Sequence, residues 1–208
     1  MKKAISKIKK TIMMKRIHTL LGLFILLTAF QCEDDDFLPT TGVELPTMVS
    51  VANDQTVFAQ DEFITINTVI PNEVTTTDGE MLSLKEYLDE NEGELSYLLL
   101  VYKNQEGGDL QSVPISIATA DTGVVSYDPS YPSMAISTVY NIDNNTFVSS
   151  VRFKVSEAGS YYLGGGHSRN SNKEEILISA PHSSERQLVL FSSIQNAGDN
   201  GLYGFIVE

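Results

Sequence analysis

From about residue 47 onward, Gly, Asn, Asp, Pro and Ser cut the chain into short runs of Val, Ile, Thr, Tyr and Phe. This punctuation constrains the fold more than any other feature. Runs of that length and composition form strands, not helices. Candidate strands are Met48–Ala52, Thr56–Ala59, Phe63–Ile70, Ser96–Lys103, Val113–Ala118, Val124–Tyr127, Ala135–Ile142, Phe147–Val155, Ser160–Leu163, Ile176–Ala180, Gln187–Phe191 and Tyr203–Val207. In Phe147–Val155 the apolar Phe147, Val151, Phe153 and Val155 alternate with Arg152 and Lys154, so one face packs and the other meets water. An all-β antiparallel sandwich is expected.

Two local signals refine this picture. Asp143-Asn144-Asn145 tolerates left-handed backbone and predicts a hairpin joining the strands on either side. Ser83 and Glu86 have the spacing of a capping box, Leu84, Tyr87 and Leu88 share one helical face, and Gly93 helps to end the segment. One short connecting helix is therefore predicted.

Glu157-Ala158-Gly159-Ser160-Tyr161-Tyr162-Leu163 resembles the strand-F signature of immunoglobulin-like domains, with Leu163 where the disulfide cysteine would stand. The resemblance implies a corner in which Tyr161 buries its ring and its hydroxyl bonds backbone. Similar segments occur in jelly rolls, and the chain has no Trp, the second immunoglobulin hallmark. An immunoglobulin-like or jelly-roll sandwich over residues 47–208 is the expected domain.

Charge is divided unevenly. Residues 1–31 hold seven of the 14 basic residues and none of the 27 acids, giving +7 there and −20 over the remainder. A body so acidic repels phosphate backbones, and no nucleic-acid partner is expected. The basic stretch leads into Leu20–Phe30, an apolar run of 11 residues. That is half the roughly 20 needed to span a bilayer and fits a secretory signal peptide, assigned to residues 1–31. Translation from Met13 or Met14 would also yield a conventional signal, so the start codon stays open between these and Met1.

The single cysteine, Cys32, excludes an internal disulfide framework and any cysteine-cluster metal site. Ala29-Phe30-Gln31-Cys32 resembles a lipobox, departing from the usual pattern at Gln31, and Glu33-Asp34-Asp35-Asp36 resembles the acidic surface-export signal of Bacteroidetes-type lipoproteins. The resemblance implies acylation of Cys32 and display on the bacterial outer membrane, with the lipid anchor as the membrane contact. Residues 32–46, with their acids, prolines and threonines, read as a tether.

Signals for chemistry are sparse. The chain has no G-x-S-x-G, P-loop, H-E-x-x-H or dinucleotide fingerprint, and enzyme activity is not expected. The most polar constellation is Gly164-Gly165-Gly166-His167-Ser168-Arg169-Asn170, whose glycine N–H groups suit an anion or carbonyl and whose His167 suits a base or ligand; a mobile loop between strands is the favoured reading. His167 and His182 have no metal-site spacing. No cofactor is required by any motif. Ca²⁺ has the best compositional case, at Asn141, Asp143 and Asn145 and at Asp199-Asn200-Gly201, but the glycine and distal Glu of an EF-hand are missing. Tyr127 and Tyr131, set among Asp128, Pro129 and Pro132, form a candidate ligand loop. The expected function is a surface-displayed, non-catalytic interaction or adhesion module for a protein partner. The alternative is a glycan-binding accessory lipoprotein of a nutrient-uptake system.

Overall fold

The computed structural model describes residues 39–169, 173–183 and 186–208. The signal segment, Cys32, the acid run Glu33–Asp36 and the His182 side chain lie outside the described residues. The strands are β1 (Thr40–Val51), β2 (Val57–Phe58), β3 (Ile64–Pro71), β4 (Glu73–Thr75), β5 (Met81–Ser83), β6 (Ser96–Asn104), β7 (Leu110–Ser112), β8 (Ile117–Thr122), β9 (Val124–Tyr127), β10 (Ser133–Ser137), β11 (Val139–Asn141), β12 (Thr146–Lys154), β13 (Gly159–Gly164), β14 (Ile176–His182), β15 (Gln187–Ile194) and β16 (Tyr203–Val207). Among the described residues one α-helix, α1 (Leu84–Glu90), follows β5.

Fourteen strands form one continuous sheet that folds over a common core, and β4 and β5 pair apart. One layer runs β12–β3–β1, with β11 and β8 along successive halves of β12. The other runs β9–β10–β6–β14–β15, and the later half of β6 continues through β13 and β16 to β2. The layers meet through side chains such as Tyr97 of β6, whose hydroxyl shares a hydrogen bond with Thr68 of β3. Both are buried, and burial pushes the Tyr97 phenol above its ordinary pKa. An apolar site tolerates such a hydroxyl because it has a partner.

The sandwich is antiparallel except for β1 against β15 and β2 against β16, which are parallel. The β1–β15 contact also corrects the tether: residues 40–46 are the first half of β1. Thr40–Glu44 pairs with Gln187–Phe191, and Val43 is fully buried. A partner more than 140 residues away leaves no local trace in a Thr-, Gly- and Pro-containing segment. β1 then bends at Pro46, where the Ser192 hydroxyl donates to Pro46 O at 2.7 Å and accepts from Met48 N–H at 3.0 Å, and pairs with β3.

Two predicted strands are divided for physical reasons. Val113–Ala118 contains Pro114, which has no N–H for a ladder, and β7 and β8 form on either side of it. Ala135–Ile142 breaks at the buried Thr138, whose N–H donates to Leu95 O at 3.0 Å, so that β10 joins one layer and β11 the other. The 143–145 hairpin forms as predicted, with Asn145 at φ 53°. Helix α1 also forms: the Ser83 hydroxyl accepts from Glu86 N–H, Leu84, Tyr87 and Leu88 are buried, and Gly93 N–H donates to Leu88 O at 3.2 Å.

The corner before β13 has the geometry that the Tyr161 segment implies. Tyr161 is 2% exposed, its hydroxyl donates to Glu157 O at 2.7 Å, and its ring stacks on Phe205 with centroids 5.5 Å apart. Leu163 is buried beside it, while Tyr162 turns to the other face and is half-buried.

Candidate functional site

Ladder registers place one row of outward positions across the five strands of the second layer and onto the first half of β1. Val124, Ser137, Ser96, Ser179, Val189 and Gly42 stand in consecutive pairs from β9 to β1. The next row begins at Ser126, Ala135 and Leu98, and on its far side Leu177, Phe191 and Glu44 are paired. Leu98 and Leu177 meet because Ile178 pairs with Tyr97 one residue away, and both line a surface groove of about 280 Å³. Leu98 is 50% exposed. The groove has an aliphatic floor of Leu98, Leu177 and Ala135, a serine edge of Ser96 and Ser179, and a wall of Gly165, Gly166 and His167.

The glycine run is needed for that wall. A Cβ on Gly165 would collide with the Glu175 carbonyl oxygen, and one on Gly166, at φ +66°, would collide with the Leu100 side chain. The run therefore lets the loop lie against the segment before β14. His167 O accepts the Glu175 N–H at 2.8 Å, and the half-buried His167 ring tilts against Phe191, centroids 5.9 Å apart. The Gly166 N–H, a candidate anion donor, donates to Glu174 Oε2 at 3.0 Å. The loop thus holds a carboxylate of its own chain.

Arg169 clamps the loop. Its guanidinium lies 3.6 Å from the Phe191 ring centroid, donates to both Glu175 oxygens at 2.6 and 2.8 Å, and bonds both oxygens of Glu44. These bonds hold the Glu175 carboxyl below its usual range and push the Arg169 pKa upward. On the other side of Gly166, the Tyr102 hydroxyl donates to Glu174 at 3.4 Å; burial first, and that carboxylate second, push its pKa up to about 12. The acids, the arginine and the tyrosine around the loop engage one another, and this arrangement shapes the wall.

The other predicted sites are placed as follows. Tyr127 pairs with Met134 and packs half-buried on the core, whereas Tyr131 is 62% exposed. Their loop is an Asx turn, with Asp128 accepting from Ser130 N–H at 2.8 Å and, through its carbonyl, from Tyr131 N–H at 2.9 Å. Asn141 Oδ1 accepts from Asp143 N–H at 3.0 Å, Asn145 Oδ1 accepts from the Tyr140 hydroxyl at 2.6 Å, and Asn200 Oδ1 accepts from Leu202 N–H at 3.1 Å. Side-chain oxygens in both calcium-like turns are thus engaged in shaping the turns. Among the described residues, no three His, Cys, Asp or Glu side chains are grouped to hold a metal ion, and no helix is long and apolar enough to cross a membrane.

Sequence reading missed the groove floor. Its signal is Tyr97–Tyr102, apolar at every position where a half-wet strand would alternate. Inward Tyr97, Leu99 and Val101 fill the core, and outward Leu98 and Leu100 are left to make a surface.

No protein-family model matches the chain, and no curated protein matches it. In structure it is similar to the reeler domain of human F-spondin, at 11% identity and a TM-score of 0.37 over 85% of this chain and 100% of that one. It is also similar to a type II cohesin domain from the cellulosome of Acetivibrio cellulolyticus, at 12% identity and a TM-score of 0.28 over 73% of this chain and 95% of that one. Likenesses at these scores carry no functional argument.

Proposed function

We propose that the chain is a lipid-anchored, surface-displayed, non-catalytic interaction module. The observation that carries this reading is the outward face of the second layer, where a shallow aliphatic groove is walled by a clamped loop. Such a face suits contact with a partner surface better than bond-making chemistry, because Arg169, Glu44 and Glu175 beside it are engaged with one another. The anchor reading rests on Cys32 and its acidic neighbours. With β1 beginning at Thr40, the tether shortens to Glu33–Pro39, a reach of about 25 Å. Glycan binding remains the second reading, favoured by the exposed Tyr131 ring.

Fractionation tests the anchor. Cys32→Ser should move the protein from membrane to soluble fractions, because acyl chains supply about 0.8 kcal/mol per buried CH₂ and the acidic body has no other affinity for lipid. Unchanged membrane association contradicts the anchor. Protease shaving of intact cells tests display: alanines at Glu33–Asp36 should protect the folded domain from cleavage, and equal cleavage of both forms contradicts the export role.

A further inference from the structure

We propose that the groove over Leu98, Leu177 and Ala135 is the docking surface of this module and takes an extended, cationic segment of a protein partner, with one aliphatic side chain seated on that floor. The proposal rests on the interaction-module reading and adds the surface and the partner's chemistry to it.

Charge complementarity selects the partner. Residues 32–208 carry seven basic residues against 27 acids, and Lys85, Lys103, Arg152, Arg169 and Arg186 are all held in ion pairs. Two carboxylates beside the groove lack such compensation. Glu94 is exposed and accepts from the Ser137 hydroxyl, at 2.7 Å, in the serine row. Glu174 accepts from Tyr102 and from Gly166 N–H at the opposite end. Neither has a basic partner among the described residues.

Spacing defines the segment further. Ser96, Leu98, Leu100 and Tyr102 all point outward along β6. Glu94 lies four residues before Leu98, and Tyr102, which holds Glu174, lies four residues after it. Four residues of strand span about 13 Å. An extended peptide lying along β6 with an aliphatic residue over Leu98 therefore places its residues four before and four after near one carboxylate each. Lysine or arginine at both positions completes the match, and the serine edge offers hydroxyls to the peptide backbone.

The test uses full-length, ¹⁵N-labelled protein in detergent and the probe peptide Lys-Ser-Thr-Ser-Leu-Ser-Thr-Ser-Lys, with a control in which both lysines are glutamates. The expected result is amide shift changes confined to Glu94–Leu98, Ala135–Ser137, Gly165–His167 and Glu174–Ser179, with no response to the control. Leu98→Ser should weaken binding about tenfold, because it removes an aliphatic contact. Glu94→Gln should weaken it less and flatten its salt dependence. Absence of binding, equal binding of the control, or indifference to Leu98→Ser overturns the proposal. Shifts at other amides overturn the groove assignment while leaving the interaction-module reading in place, and that reading's anchor fails separately in the Cys32→Ser fractionation.

Discussion

The two ends of β13 are held in opposite ways. At its start, Tyr161 is buried with its hydroxyl on the Glu157 carbonyl and its ring on Phe205. At its end, the Gly164–Arg169 loop is held by close backbone contact and by ion pairs that water can reach. A buried ring and a satisfied hydroxyl fix a fold, whereas an exposed clamp shapes a surface at small cost to stability. One strand therefore anchors the core at one end and builds the groove wall at the other.

The largest difference should appear at the corner. Tyr161→Ala should cost about 3–5 kcal/mol by denaturant unfolding, a large fraction of a typical stability, and Tyr161→Phe about 1 kcal/mol for the hydroxyl bond alone. Tyr162→Ala, on the outer face, should cost far less than Tyr161→Ala, and equal losses would break the contrast.

An intermediate effect is expected where the wall touches backbone. Gly165→Ala forces a Cβ toward the Glu175 carbonyl, which lies in a segment braced by its own hydrogen bonds, so about 1–3 kcal/mol should be lost. Thermal melting at the wild-type temperature would show that the loop yields freely.

The smallest effect belongs to the clamp, and pH sharpens it. Arg169→Gln should cost no more than about 1 kcal/mol near neutrality, since its partners are solvent-accessible. The folded-state pKa of Glu175 is depressed by Arg169, so its contribution is present above the ordinary carboxylate pKa, about 4.3, and fades as pH falls through the lowered value. Wild type and Arg169→Gln should converge in stability as pH drops below about 4. A gap that widens with acid would contradict the clamp.

The contrast also explains what could be read from sequence. The corner is encoded within seven residues, Glu157 to Leu163, and the hydroxyl bond closes inside them, so the turn and its tyrosine were legible although the ring's partner Phe205 is distant. The Ser83 cap and the 143–145 hairpin are local in the same sense. The groove is assembled from β10, β6, β14 and the loop after β13, and its floor depends on registers that no short segment specifies. The first half of β1 was unreadable for the same reason, since its partner is β15. Gly164–His167 stood out in sequence as a polar constellation, but whether glycines serve an anion or a close approach depends on what lies opposite. Here Glu174 and Glu175 lie opposite, from the segment before β14.

Native-state hydrogen exchange of the full-length protein tests the division between fixed corner and built wall most directly, because it reads both ends of β13 in one sample. The amides of Tyr161 and Leu163, inside the β6–β13–β16 ladder, should exchange only through global unfolding, and the amide of Gly166, bonded to the Glu174 side-chain carboxylate in a surface loop, should exchange orders of magnitude faster through local opening. Equal protection of Gly166 and Tyr161 would contradict the account, placing the wall in the same cooperative unit as the core.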